Sequence, residues 1–66
     1  MDVILNGEPK TIKSDSSILD LIQLLDLGDA RIAVELNLEI VPRSEHSTIM
    51  LKAGDTLEIV HAIGGG

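Results

Sequence analysis

The chain has 66 residues, no cysteine and no aromatic side chain, and its eleven acidic against five basic residues give a formal charge of −6. A chain this short buries only about 60% of its unfolded surface, and without disulfides it must rely on aliphatic packing, which reads as a cytoplasmic, reducing setting. The charge disfavours nucleic acid and anionic membranes and favours a basic protein surface. The missing aromatics remove base-stacking platforms and aromatic-lined ligand pockets. The opening MDVILNGEPK has neither a basic segment nor a long apolar one, so neither export nor membrane insertion is expected.

Val3 and Leu5 alternate with Asp2, Ile4 and Asn6, and Asn6-Gly7 supplies two residues that tolerate positive φ. This predicts a strand and a hairpin turn. A short second strand is expected around Lys10 to Lys13, with Ile12 facing inward and Pro9 marking the end of the loop. The period then changes: Ile18, Leu21, Ile22 and Leu25 fall at i, i+3, i+4 and i+7, which lines one face of a helix of about three turns. Ser17 with Asp20 resembles a capping box, Ser16 and Asp15 being alternative caps. Leu27-Gly28 is the expected exit, because glycine accepts the left-handed conformation that commonly closes a helix.

Beyond the helix, Ile32, Val34 and Leu36 alternate with Ala33, Glu35 and Asn37, the pattern of a strand with one buried face. Asn37 to Glu39 turns it, Ile40-Val41 forms a brief return strand, and Pro42 opens a surface segment, PRSEHS. The remaining TIMLKAGDTLEIVHAI holds two apolar runs split by a turn at Lys52-Ala53-Gly54-Asp55, with Leu57, Ile59 and His61 on one face of the last strand. The expected architecture is α+β, one helix lying across a mixed sheet of about four to five strands.

Ordinary catalysis is poorly supplied. His46 and His61 are the two histidines, and no nucleophile, base and orienting group fall into a recognisable pattern. Ser44 and Ser47 flank Glu45-His46, an arrangement that reads as polar surface. Two histidines without cysteine or a matching carboxylate spacing satisfy no recurrent zinc pattern. An enzyme and a metal site are therefore not expected. The remaining distinctive group is the carboxylate of Gly66, ionised at neutral pH with a pKa of about 3.5 and electrophilic only once a partner activates it. Gly64, Gly65 and Gly66 lack Cβ atoms and fit a channel too narrow for any branched residue. Ala62 and Ile63 would sit at its mouth and Val60 would give an apolar patch on the outer face of the final strand, the three serving as docking residues.

The opening VILNGE, the stretch IAVELNLEIVPRSEH and the ending LKAGDTLEIVHAIGGG together resemble the ThiS family of sulfur carriers over nearly the whole chain. The most specific part is VPR after the third strand paired with GDxLEIVxxxGGG at the end. The resemblance implies a ubiquitin-like β-grasp domain over residues 1–63 followed by a flexible glycine tail, 64–66. It also implies that Gly66 is adenylated by an ATP-using adenylyltransferase related to ubiquitin-activating enzymes, then converted to a thiocarboxylate. That group would donate sulfur for the thiazole ring of thiamine on the thiazole synthase ThiG, with no cofactor of the chain's own. Gly65 matches the paired glycine of the family and Gly64 those members that end in three. Three other readings stand beside it: the small subunit of molybdopterin synthase, usually longer and richer in aromatics; a protein modifier that forms isopeptides; and a plain interaction module.

Overall fold

The structure, a computed structural model, describes residues 1–28 and 31–61. Strand β1 (Asp2–Leu5) pairs antiparallel with β2 (Glu8–Thr11) through a two-residue turn in which Asn6 has φ 50° and Gly7 φ 84°. Both values lie in the left-handed region, which matches the twist of the flanking strands. The expected Asn-Gly hairpin is present. Strand β2 starts earlier than the Lys10 expected and includes Pro9 opposite Ile4. Proline is compatible with this position because β2 is the edge strand of the sheet. Ile12, just past its end, is buried and donates its N–H to the Met1 carbonyl.

Helix α1 (Ile18–Leu24) begins with the expected capping box: Ser17 Oγ accepts from the Asp20 N–H at 3.1 Å and Asp20 Oδ2 accepts from the Ser17 N–H at 2.9 Å. Its end differs from the expectation. The helix has seven residues rather than three turns, and the left-handed residue is Asp26 (φ 59°), not Gly28. The Leu27 N–H reaches back to the Ile22 carbonyl and the Asp26 N–H to the Gln23 carbonyl. These two bonds make a Schellman closure with aspartate at the position glycine usually fills. The closure turns Leu27 back against the core. Burial of an apolar residue, rather than the nearest glycine, sets where this helix stops.

Strands β3 (Ile32–Leu36) and β4 (Glu39–Val41) form a second two-residue hairpin with Asn37 at φ 50° and Leu38 at φ 74°. A short 3₁₀ turn, Arg43–Glu45, follows Pro42. The first apolar run of the last segment is not a sheet strand. Met50 makes an isolated bridge to Ser17, while the Leu51 N–H bonds the Ser16 carbonyl and the Ile18 N–H the Ile49 carbonyl. Residues 49–51 thus run beside the start of the helix, where the Ile49 carbonyl satisfies the Ile18 N–H, a donor with no partner within the helix. The second run is β5 (Thr56–His61).

The sheet order is β2-β1-β5-β3-β4, with β5 parallel to β1 and antiparallel to β3. Val3, Val34, Leu57 and Ile59 on the sheet meet Ile18, Leu21 and Ile22 on the helix in one aliphatic core. Five strands, mixed in direction and covered by one helix, give the ubiquitin-like β-grasp fold.

Candidate functional site

The site is the carboxyl end of β5 and the scaffold that fixes it. Strand β5 is last in the chain but central in the sheet, with β1 on one side and β3 on the other. Its ladder with β1 covers Thr56 and Leu57 only, opposite Ile4 and Leu5. Beyond that point the Asn6 side chain takes over from the backbone. Its Oδ1 accepts from the Ile59 N–H at 2.8 Å and its Nδ2 donates to the Ile59 carbonyl at 3.3 Å. Asn37 acts at the start of the same strand: its Oδ1 accepts from the Thr56 N–H at 3.0 Å and its Nδ2 donates to Asp55 Oδ1 at 3.2 Å. The asparagines of the two hairpin turns therefore clamp one strand from opposite sides. Sequence reasoning recognised Asn6 and Asn37 as turn residues and missed this second role, which depends on a register that local patterns do not carry.

Leu57 and Ile59 point into the core, and Val60 faces outward opposite Ala33, 58% exposed. Val60 is thus on the solvent face where a docking residue was expected. His61 lies opposite Ile32 and, unlike Leu57 and Ile59 on the same face, is exposed. Ala62, Ile63, Gly64, Gly65 and Gly66, together with the boundary between domain and tail, lie outside the described residues.

His46 departs from the expected all-surface character of PRSEHS. It is 6% exposed, its Nε2 lies 3.2 Å from the Val41 carbonyl, and its own carbonyl accepts from the Leu19 N–H at 2.8 Å. The ring nitrogen must carry the proton to make the first contact. This histidine ties the 3₁₀ turn to β4 and the helix, while Ser44, Glu45 and Ser47 are exposed. Among the described residues no group of three or more histidine, aspartate and glutamate side chains is placed to hold a metal ion. A surface concavity of about 330 Å³ is lined by Ile12, Lys13 and residues at the start of α1 and contains no residue of β5. No described helix is long and apolar enough to cross a membrane.

What the arrangement offers is a rigid strand end with an exposed apolar residue beside it. Comparison with known proteins connects this to a family. The sequence profile described as the ThiS family matches residues 3–66. A thiazole synthase of Paramagnetospirillum magneticum is 39% identical over all 66 residues of the chain, which spans 20% of that relative's length. The sulfur carrier protein ThiS of Bacillus subtilis is 36% identical over 63 residues, covering 94% of this chain and 96% of that one. A crystal structure of the thiamine biosynthesis protein ThiS from Geobacter metallireducens superposes with a TM-score of 0.87 at 30% identity, each chain fully covered. With the profile aligned from the first strand to the final glycine, the chain belongs to the ThiS family.

Proposed function

We propose that the chain is a cytoplasmic sulfur carrier of thiamine biosynthesis, not itself an enzyme, and that Gly66 carries the sulfur. The observation behind this reading is that the family match extends through Gly64, Gly65 and Gly66 and so includes the glycine ending. Chemically, the Gly66 carboxylate attacks the α-phosphorus of ATP bound by an adenylyltransferase related to ubiquitin-activating enzymes. Pyrophosphate leaves and an acyl-adenylate forms. A sulfide-level nucleophile then attacks the acyl carbon, AMP leaves with one former carboxylate oxygen, and a thiocarboxylate remains. ATP belongs to the activating partner and the chain holds no cofactor of its own.

Gly64 and Gly65 suit the reach into a narrow channel because they carry no Cβ, and residues 64–66 act as the tail of a domain that spans 1–63. Val60, Ala62 and Ile63 make contact where the tail enters the partner. The central position of β5 supports this division, since the strand that precedes the tail is hydrogen-bonded on both sides. The sulfur acceptor is the thiazole synthase ThiG. Supporting that assignment, the Paramagnetospirillum thiazole synthase carries, over 20% of its length, a segment homologous to this chain.

Incubation with the activating partner, ATP and a sulfide donor should convert one terminal oxygen to sulfur, read by intact-mass spectrometry. One residue added after Gly66 should abolish the conversion while leaving the fold intact. An unchanged mass for the natural chain, or full conversion of the extended one, would overturn the proposal.

A further inference from the structure

Asn6 holds β5 through a chemically labile group. The chain has two asparagines, and each clamps β5 from a two-residue hairpin turn, but Asn6 is followed by Gly7 and Asn37 by Leu38. An asparagine amide is open to attack by the backbone nitrogen of the next residue, which makes asparagine one of the thermolabile side chains. Glycine leaves that nitrogen unscreened. A Cβ added at Gly7 would meet no atom within 4 Å, both turn residues are exposed, and among the described residues the Gly7 N–H has no acceptor. In the other turn the branched side chain of Leu38 crowds the corresponding nitrogen. In the folded domain, however, Asn6 Oδ1 and Nδ2 are both engaged by Ile59, so the amide carbon cannot turn onto the Gly7 nitrogen until the clamp opens.

We infer that Asn6 is a site of spontaneous deamidation, guarded by its own clamp on β5, and that its modification is a one-way loss of that clamp. The Gly7 nitrogen attacks Asn6 Cγ: the N–Cγ bond forms, the Cγ–Nδ2 bond breaks, and ammonia leaves with the Gly7 proton. Water then opens the cyclic imide at either carbonyl, and nothing is oxidised or reduced. Opening at Cγ gives aspartate; opening at the original backbone carbonyl gives isoaspartate, in which the chain runs through Cβ. Aspartate keeps an acceptor for the Ile59 N–H but sets a carboxylate oxygen against the Ile59 carbonyl, where Nδ2 donated at 3.3 Å. Isoaspartate adds a backbone atom to a turn whose two residues fix the register of Leu5 opposite Glu8, and its carboxylate sits closer to the chain, so the pair of bonds to Ile59 is not rebuilt. The N–H of Ile59, a residue 7% exposed, is then left without its partner, which costs stability. The strand that leads to Gly66 thus loses its side-chain support with the age of the polypeptide.

The test ages the full chain at neutral pH, in buffer and in guanidinium chloride, and locates amide loss by peptide mass spectrometry, with isoaspartate read by enzymatic methylation. Amide loss should fall on Asn6 with Asn37 intact, and isoaspartate should accumulate. The folded chain should react at least about tenfold more slowly than the unfolded one, the factor that a pair of hydrogen bonds of this kind provides. The purified isoaspartate form should melt below the parent and exchange its Ile59 amide faster. Gly7→Ala, compared in denaturant where folding plays no part, should slow the reaction because its methyl group crowds the attacking nitrogen. Equal reaction at Asn37, a folded chain that reacts as fast as the unfolded one, an unslowed Gly7→Ala, or an isoaspartate form as stable as the parent each overturns the inference. None of these readouts involves sulfur transfer, so its failure leaves the sulfur-carrier reading intact.

Discussion

Asn6→Gly removes the clamp on β5 without disturbing the turn that holds it. Asn6 sits at φ 50°, a conformation glycine adopts freely, so the hairpin geometry survives and the loss is confined to the side chain. Two hydrogen bonds disappear: the short one from the Ile59 N–H at 2.8 Å and the long one to the Ile59 carbonyl at 3.3 Å. A hydrogen bond contributes about 1 kcal/mol net, and a buried donor left without a partner costs about 1–3 kcal/mol. Ile59 is only 7% exposed, so water reaches its N–H poorly, while the longer bond adds little. Glycine relieves the mild cost of asparagine in the left-handed region but adds a comparable amount of chain entropy, leaving a net loss of about 1.5 kcal/mol. In a domain of this size that lowers Tm by about 6–12 °C. The chain contains no aromatic residue, so the transition is followed by far-ultraviolet circular dichroism rather than fluorescence, with hydrogen exchange at the Ile59 amide as the local reporter. Asn37→Gly is the control: its bonds to Thr56 and Asp55 are exposed and its loss should be about half as large. If Asn6→Gly melts with the parent and the Ile59 amide stays protected, or if Asn37→Gly costs more, the clamp carries no energy and the reasoning fails.

Leu38 occupies the second position of the β3–β4 turn at φ 74° with 85% of its surface exposed, so it bears left-handed strain and buries almost nothing in return. Leu38→Gly should relieve about 1–2 kcal/mol of strain against about 0.5–1 kcal/mol of added chain entropy, for a net gain of up to about 1 kcal/mol in urea denaturation; a loss of stability would show that the side chain makes contacts worth more than the strain. Ser17→Ala breaks the capping box and should cost about 1 kcal/mol, because a seven-residue helix cannot persist on propensity alone. A double variant with Asp20→Ala should lose little more than the single one, since the two bonds form one reciprocal unit; additive losses would argue against the box.

Local chemistry made much of this fold legible. Alternation over Val3 to Leu5 and Ile32 to Leu36, the Asn-Gly turn and the Ser17–Asp20 pair each need only a few neighbouring residues to take effect, and each appears where its pattern lies. The misses share a different cause. The helix exit lies at Asp26 rather than Gly28, where Leu27 packs partly buried against the core, and residues 49–51 run beside the helix start, where the Ile49 carbonyl accepts from the Ile18 N–H. His46 looked like loop surface because its neighbours in sequence are exposed, yet its partners are Val41 and Leu19. In each case a tertiary demand outweighed a local preference.

The candidate site divides along the same line. Its chemical end, the glycine run, is a property of composition and can be read without any structure. Its mechanical base is a property of register. Asn6 and Ile59 are 53 positions apart, and Glu35 and Glu58 become neighbours only when β3 and β5 pair. Because β5 is both the last strand and the central one, every long-range pairing in the sheet converges on the element that leads to Gly66. The pairing that completes the core also brings two glutamates together on the open face. A variant that relieves their repulsion, Glu58→Gln, should therefore be slightly more stable than the parent in urea denaturation, and a loss of stability would show that the opposed carboxylates do not repel across the ladder.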